Sequence, residues 1–199
     1  MDVGAGDGGY VLYRARTEPG TFAIAIDASP DALSSGAWRA KRARLANAAF
    51  LIEGVERLPH DFAGVANEVT VQFPWGSLLR GLLTADPGVI VPIARLLKPV
   101  GELRVLLRAT ARDGYADVAP ESLSRVATRY AQLELELEEA RLASPSNIAA
   151  SRSTWAKRLG VSRPVVYARY SRSSSRRGLM SGGTSPDLQG THSTRNRPS

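Results

Sequence analysis

Short runs of apolar residues recur along the first 170 positions, and their lengths predict strands. Three of these runs are almost continuously apolar, which is typical of strands in a parallel sheet that is covered on both faces. The segment 133–142 alternates apolar and charged residues and predicts a half-exposed edge strand. The seven predicted strands are residues 1–3, 22–27, 49–53, 69–73, 103–108, 133–142 and 165–170.

Helical patterns lie between the strands. The first long one, 29–47, opens with Ser29-Pro30-Asp31, which is a helix-start signal. The alternation of strands and helices predicts an α/β fold with a doubly wound, seven-stranded sheet, whose first strand is truncated. Ligands of such folds bind at the carboxyl ends of the strands. The other predicted helices are residues 10–16, 77–83, 89–97 and 120–133.

Composition and charge indicate one globular domain with a polyanionic partner. The 199 residues suit a single domain, and the absence of cysteine excludes disulfides and thiolate chemistry. Of the net charge of +7, residues 151–199 carry +9 and residues 1–150 carry −2. RNA is a common partner for such a chain, although a solubilising tail fits the charge equally well. We expect a domain over residues 1–170 and a basic disordered tail over 171–199, which is rich in Ser, Arg and Gly.

The sequence carries no sign of a membrane location. Its longest apolar stretch, around residues 88–97, is too short to span a bilayer and contains Arg95. Asp2 and Asp7 lie where the basic region of a signal peptide would be. We therefore expect a cytoplasmic protein.

A glycine-rich segment follows the first predicted strand. Gly4, Gly6 and Gly9 satisfy the pattern GxGxxG, which is weak evidence when it occurs alone. Asp2 precedes these glycines and Asp7 lies among them, and both carboxylates would repel a pyrophosphate. They suit a ligand with a cationic amino-acid end, such as S-adenosylmethionine. A tight turn in an unrelated α/β protein remains the alternative.

Two further strand ends carry candidate site residues. Asp27 ends the second predicted strand, where a carboxylate can accept hydrogen bonds from both ribose hydroxyls of a nucleoside. After the fourth strand, Pro74 and Gly76 predict a sharp turn that directs Trp75 and backbone carbonyls into a pocket between cofactor and target base. Core packing is the ordinary alternative for a single tryptophan.

Three sequence blocks resemble a known family, the aminoglycoside-resistance 16S rRNA (adenine(1408)-N(1))-methyltransferases. They are DVGAGDG at residues 2–8, GVERLP and FPWGSLLRG at 54–59 and 73–81, and SRSTWAKRL at 151–159. Their order and spacing are also similar, so the resemblance covers about residues 1–170. It implies a Rossmann-like class I methyltransferase fold, S-adenosylmethionine as cofactor, and 16S rRNA within the 30S subunit as substrate.

The resemblance also implies roles for individual residues. Trp75 and Trp155 would hold the flipped adenine between them, and Phe73, Pro74 and Ser153 would complete the catalytic pocket. RNA would contact Arg39, Lys41, Arg42, Arg44, Arg158 and Arg163. The cofactor would contact Asp2, Gly4, Gly6, Asp27, Val55, Glu56, Gln72, Trp75, Ser77, Ser153, Thr154 and Trp155.

The chain departs from the family pattern in two places. The N-terminal hairpin that precedes the family's first strand is absent, which bears on cofactor affinity and on part of the RNA surface. Val165 stands where the family tends to have a second basic residue after Arg163.

We expect catalysis by positioning, because the N1 atom of adenine has a free lone pair and needs no general base. Holding the reacting atoms in place can supply on the order of 7–11 kcal/mol. We expect a monomer that uses no metal ion. The alternatives are a transfer-RNA guanine-N7 methyltransferase, a non-catalytic RNA-binding remnant and a nucleotide-dependent dehydrogenase.

Overall fold

The computed structural model describes residues 1–109, 113–115, 118–153 and 164–174. The strands are β1 (Asp2–Val3), β2 (Ala23–Asp27), β3 (Ala48–Ile52), β4 (Ala66–Gln72), β5 (Leu97–Leu107), β6 (Leu135–Leu142) and β7 (Val166–Arg172). The helices are α1 (Gly9–Thr17), α2 (Pro30–Arg42), α3 (Gly76–Thr84), α4 (Pro87–Leu96), α5 (Pro120–Ser124), α6 (Ala127–Gln132) and α7 (Pro145–Ala150). Two short 3₁₀ turns, Val55–Arg57 and His60–Phe62, lie between β3 and β4.

The strands form one sheet in the order β3-β2-β1-β4-β5-β7-β6. Strands β1 to β5 are parallel, and β7 is antiparallel to both of its neighbours, β5 and β6. From β1 the chain winds first towards β3 and then, from β4, in the other direction. The switch point therefore lies between β1 and β4, where ligands of such sheets bind. The prediction of a seven-stranded Rossmann-like sheet with 133–142 at its edge is confirmed.

Helices cover both faces of the sheet, as the apolar strand patterns predict. Ala23 and Ala25 of β2 pack with Val11 of α1 and Leu33 of α2 on one face. The next residue along the strand, Ile26, belongs to the larger core on the other face, where α3 and α4 pack against β4 and β5. Alternate side chains of one strand thus enter two separate apolar layers.

The structure corrects several predicted boundaries. The predicted helix 29–47 ends at Arg42, because Arg44 adopts φ 52° and the Leu45 amide donates to the Ala40 carbonyl. This is a Schellman-type helix end, which normally carries glycine and so has no signal here. The predicted helix 120–133 is the pair α5 and α6, interrupted at residues 125–126. Strand β5 begins at Leu97, six residues earlier than predicted.

The last strand continues past the predicted domain boundary at residue 170. Strand β7 reaches Arg172, and the Ser173 amide donates to the Glu134 carbonyl. Residues 175–199, most of the predicted tail, lie outside the described residues.

Within the described ranges, no single helix has the length and apolar character needed to cross a membrane. Only α3 and α4 taken together meet that criterion, and they are bent by 89° relative to each other.

Candidate active site

Two adjoining cavities open at the carboxyl ends of β1, β2 and β4. They share Gly4, Asp27 and Trp75 as lining residues. The first cavity, of about 210 Å³, is bordered by the turn after β3 and the start of α3, and includes Glu53, Val55, Glu56, Pro74 and Ser77. The second cavity, of about 320 Å³, is bordered by the glycine loop and by the segment after α7, and includes Asp2, Gly6, Asp7, Gln72, Phe73, Arg152 and Ser153.

The glycine loop, residues 4–9, depends on backbone conformations that favour glycine. Gly4, Gly6 and Gly8 have φ values of 70°, 54° and 67°. A Cβ atom on Gly4 would lie 2.8 Å from Leu78 Cδ2, so the loop also lies tightly against α3. Gly8, rather than the Gly9 of the GxGxxG pattern, is the left-handed residue that caps α1.

Asp27 joins the glycine loop to the end of β2. Its Oδ2 atom accepts a hydrogen bond from the Gly6 amide at 2.8 Å, and its Oδ1 accepts from the Ser29 amide at 2.9 Å. Each carboxylate oxygen can accept more than one hydrogen bond. Asp27 can therefore hold the loop and accept ligand hydroxyls at the same time.

Asp2 is a buried carboxyl group, only 3% exposed, on the wall of the second cavity. Its Oδ1 atom accepts from Thr70 Oγ1 at 2.6 Å and from Gln72 Nε2 at 3.4 Å. Burial raises the pKa of Asp2 to about 6, although these hydrogen bonds act in the opposite direction. A cationic ligand group in the second cavity would favour the ionised form of this carboxyl.

Asp7 has a different environment, since its charge is paired within the protein. Its Oδ2 atom lies 3.0 Å from Arg39 Nη2, and the same nitrogen donates to the Asp7 carbonyl at 2.6 Å. The Asp7 Oδ1 atom accepts from the Gly9 amide at 3.1 Å. Arg39, which the family resemblance places on the RNA surface, thus lies against the glycine loop.

The turn after β4 separates two neighbouring aromatic residues. Phe73 has φ 51°, and its side chain is buried in an apolar cluster with Leu106 and Val165. Trp75 is 81% exposed and precedes the first turn of α3. The core-packing interpretation of Trp75 is therefore wrong, and its indole is free to contact a ligand.

Several cavity residues were not identified from the sequence. Glu53 lines the first cavity, and its Oε1 atom accepts from the Gly54 amide and from Arg57 Nε, both at 2.8 Å. The Gly54 hydrogen bond and then Arg57 lower the pKa of Glu53. The sequence pattern that could have identified Glu53 is its position directly after the third strand, because ligands bind where parallel strands end.

The second cavity contains another such residue, Arg152. Its guanidinium carbon lies 4.0 Å from the centroid of the Tyr13 ring, a cation–π distance. The neighbouring Ser153 is half-buried, and its amide donates to Ser151 Oγ at 3.3 Å. The other predicted residues of this block, Thr154, Trp155, Arg158 and Arg163, lie outside the described residues.

The remaining predicted RNA contacts lie at the end of α2. Lys41, Arg42 and Arg44 are exposed, and we call them the α2 cationic surface. The Arg42 guanidinium lies 5.3 Å from the ring centroid of Trp38, which is itself 60% exposed. Among the residues that the structure describes, no group of three His, Asp or Glu side chains could hold a metal ion.

Comparison with known proteins identifies the family. Residues 1–173 match the profile of NpmA, 16S rRNA (adenine(1408)-N(1))-methyltransferase. The enzyme of that name from Streptoalloteichus tenebrarius is 32% identical over 175 residues, covering 82% of this chain and 80% of the relative. The aminoglycoside resistance methyltransferase NpmB1 is 35% identical in sequence to this chain. Its crystal structure superposes with a TM-score of 0.69, and the match covers 86% of this chain and 85% of that one.

A third comparison supports the fold alone, because its sequence identity is 24%. It is a 16S rRNA (adenine(1408)-N(1))-methyltransferase from Catenulisporales acidiphilia with its cosubstrate SAM, at a TM-score of 0.77 over 88% of this chain and 85% of that one. The profile match, the two sequence relatives and the shared sheet agree with the resemblance seen in the three sequence blocks. The chain belongs to the family of 16S rRNA (adenine(1408)-N(1))-methyltransferases.

Proposed function

We propose that this chain transfers the methyl group of S-adenosylmethionine to N1 of adenine 1408 of 16S rRNA in the 30S subunit, and thereby gives aminoglycoside resistance. The observation that carries the proposal is the pair of adjoining cavities that share Gly4, Asp27 and Trp75. The first cavity suits a nucleoside, and the exposed indole of Trp75 lines both cavities.

The side chains of the two cavities fit S-adenosylmethionine better than a nucleotide cofactor. Five carboxylates line the cavities: Asp2, Asp7, Asp27, Glu53 and Glu56. Arg39 and Arg57 pair with Asp7 and Glu53, and the other three carboxylates would repel a pyrophosphate. The buried Asp2 would hold the cofactor ammonium, and Asp27 would accept its ribose hydroxyls. This charge pattern argues against the nucleotide-dependent dehydrogenase.

The adenine of the cofactor would lie in the first cavity against Val55 and Glu56, and Ser77 lines the same cavity. Gly4, Gly6 and Gln72 would border the methionine end in the second cavity. When bound, S-adenosylmethionine supplies an electrophilic methyl group on a cationic sulfur.

The residues of the chain would act by orienting the target base. Trp75 would stack on one face of the flipped adenine, with Trp155 and Ser153 on the other side and Pro74 setting the direction of the turn. Stacking contributes roughly 1–3 kcal/mol per base, which offsets the cost of extruding the base. The N1 atom becomes part of a cationic base on methylation, and an indole face stabilises that charge. No side chain needs to remove a proton.

The substrate would bind through cations outside the cavities. The α2 cationic surface is exposed and would contact rRNA phosphates, as would Arg158 and Arg163. A ribosomal substrate implies action in the cytoplasm, and we propose a monomer that needs no metal ion.

Methylation of purified RNA substrates tests the function. The chain should transfer label from S-adenosylmethionine to isolated 30S subunits, and primer extension on the product should stop at adenine 1408. Bulk transfer RNA serves as the second substrate. Label in transfer RNA and none in 30S subunits would favour a transfer-RNA methyltransferase instead, and label in neither would favour a non-catalytic remnant.

A further inference from the structure

A contact between α2 and the glycine loop is not explained by RNA binding. Arg39 Nη2 donates to the backbone carbonyl of Asp7 at 2.6 Å and approaches its carboxylate Oδ2 at 3.0 Å. Arg39 Nε also donates to the Ser35 carbonyl of its own helix at 3.3 Å. The guanidinium is thus directed inward, to the loop that borders the second cavity.

A glycine within α2 shows that this contact depends on close approach. A Cβ atom on Gly36 would clash with the Asp7 carbonyl oxygen and would lie 2.8 Å from Phe50 Cε1. Glycine inside a helix costs roughly 0.5–1 kcal/mol relative to alanine. Gly36 and Arg39 are three positions apart and therefore share one face of the helix. On that face, Gly36 leaves the space that the Asp7 carbonyl occupies, and Arg39 donates to the same carbonyl.

The position of Asp7 determines the path of the loop. On one side of it, the Gly6 amide donates to Asp27, and on the other side Gly8 caps α1. Arg39 holds Asp7 through two acceptors, the backbone carbonyl and the carboxylate. The side chains of Arg39 and Asp7 are 37% and 31% exposed, so water screens part of the attraction. The contribution of the contact is therefore chiefly to the geometry of the loop.

The cations at the end of α2 differ in their surroundings: Arg39 contacts the glycine loop, whereas the α2 cationic surface is exposed. Lys41 is two positions beyond Arg39, which rotates it by about 200° around the helix axis. The Arg42 guanidinium lies 5.3 Å from the ring centroid of the exposed Trp38, and Arg44 follows the helix end. None of these three has a described contact with the glycine loop.

We propose that Arg39 is a positioning residue for the cofactor, which acts through Asp7 and the glycine loop and does not belong to the RNA-binding surface. The inference rests on the proposed function, because its main readout is the affinity for S-adenosylmethionine. Without Arg39, the backbone between Gly6 and Gly9 loses its support from α2. The methionine end of the cofactor would then meet a less ordered cavity wall.

The test compares Arg39→Ala, Arg39→Lys and Arg42→Ala. Calorimetry should show S-adenosylmethionine binding weakened by about five- to tenfold in Arg39→Ala, less in Arg39→Lys, and unchanged in Arg42→Ala. Lysine restores a charged donor for Asp7 but lacks the Nε–H group that Arg39 donates to the Ser35 carbonyl, so its position on the helix is less fixed. In methylation assays, Arg39→Ala should raise KM for the cofactor and leave kcat at saturating cofactor nearly unchanged. Its affinity for 30S subunits should stay within about twofold of that of the wild type.

Two results would overturn the inference. One is Arg39→Ala with wild-type cofactor affinity and weakened 30S binding, which would make Arg39 an RNA contact. The other is a loss of both affinities together with an early melting transition, unrelieved in Arg39→Lys. Hydrogen exchange at the Gly6, Gly8 and Gly9 amides supplies a readout without ligand, and should be faster in Arg39→Ala. A wild-type chain that binds no S-adenosylmethionine would instead refute the proposed function.

Discussion

Individual residues of the site differ more in their surroundings than in their chemistry. Asp2 precedes the glycine motif and Asp7 lies within it, and both line the second cavity. Asp2 is buried there, and burial raises its pKa to about 6. The Asp7 carboxylate forms an ion pair with Arg39. Phe73 and Trp75 are similarly close in sequence, and only the indole reaches solvent. Asp2, Asp27 and Trp75 are therefore available to a ligand.

Cofactor affinity should depend on pH through Asp2. The ionised carboxylate attracts the ammonium of S-adenosylmethionine, and Asp2 in the free protein takes up a proton as the pH falls through about 6. We therefore expect constant affinity from pH 7 to 8 and progressively weaker binding below pH 6. The Asp2→Asn variant should bind weakly at every pH and lose this dependence. A wild-type pH profile in Asp2→Asn, measured by calorimetry, would remove Asp2 from the ammonium site.

Replacement of Trp75 should affect activity and leave stability nearly unchanged. Because the side chain is 81% exposed, Trp75→Ala should shift the unfolding free energy by less than about 1 kcal/mol. Methylation of 30S subunits should almost disappear in Trp75→Ala and persist in part in Trp75→Phe, which keeps a stacking ring. Phe22→Ala is the control, since Phe22 is 61% exposed at the amino end of the sheet. Stable and active Trp75→Ala protein would contradict stacking on the base.

Among the elements, α2 joins the two halves of the proposed function. Ser29 caps its start, and its buried face includes Leu33 and Gly36. The helix ends at Arg42, because Arg44 adopts a left-handed conformation two residues later. A longer helix, as the sequence predicts for 29–47, would move Arg44 to another face. The helix end therefore shapes the α2 cationic surface.

Charge reversal of the α2 cationic surface should separate RNA binding from cofactor binding. The triple variant Lys41→Glu, Arg42→Glu and Arg44→Glu should lose measurable binding to 30S subunits, because phosphate contacts dominate affinity for RNA. Its affinity for S-adenosylmethionine should match that of the wild type, because Arg39 is retained. The affinity of the wild-type protein for 30S subunits should also fall as salt is added, as expected for phosphate contacts.

A matched control reverses three exposed cations at the amino end of the sheet, Arg16, Arg95 and Lys98. It changes the net charge by the same amount and lies opposite the cavities. Equal losses of 30S binding in both triple variants would show that the total charge of the protein matters and that the α2 cationic surface has no special role.

For the whole molecule, β1 is the connection between the two halves of the sheet. It pairs with β2 through Asp2 and Val3 and with β4 through Asp2. The amino group of Met1 is nearly buried and donates to the Glu68 carbonyl at 2.7 Å, and burial lowers its pKa. Below β1 lies a cavity of about 430 Å³ between β2 and β4. The strand that carries the glycine loop thus joins the two halves of the sheet.

The sequence by itself determined the number of strands and their alternation with helices along the chain, the glycine loop, the carboxylate that ends β2, and the family. These features depend on local patterns: apolar runs predict strands, and strand ends predict the site because parallel strands terminate at one edge. The Ser29 cap was likewise readable, since its Oγ accepts from the Ala32 amide three residues later.

Only the tertiary structure decided which charges and rings remain available to a ligand. Arg39 belongs to a cationic stretch in the sequence, and its partner Asp7 lies 32 positions earlier. Phe73 is buried by Leu106 and Val165, whereas Trp75, two residues later, meets none of that cluster. Each outcome depends on contacts between distant segments, whose distances no local pattern contains. The physical reason is that these side chains contact residues that are distant in the sequence, and only the packed structure brings them together.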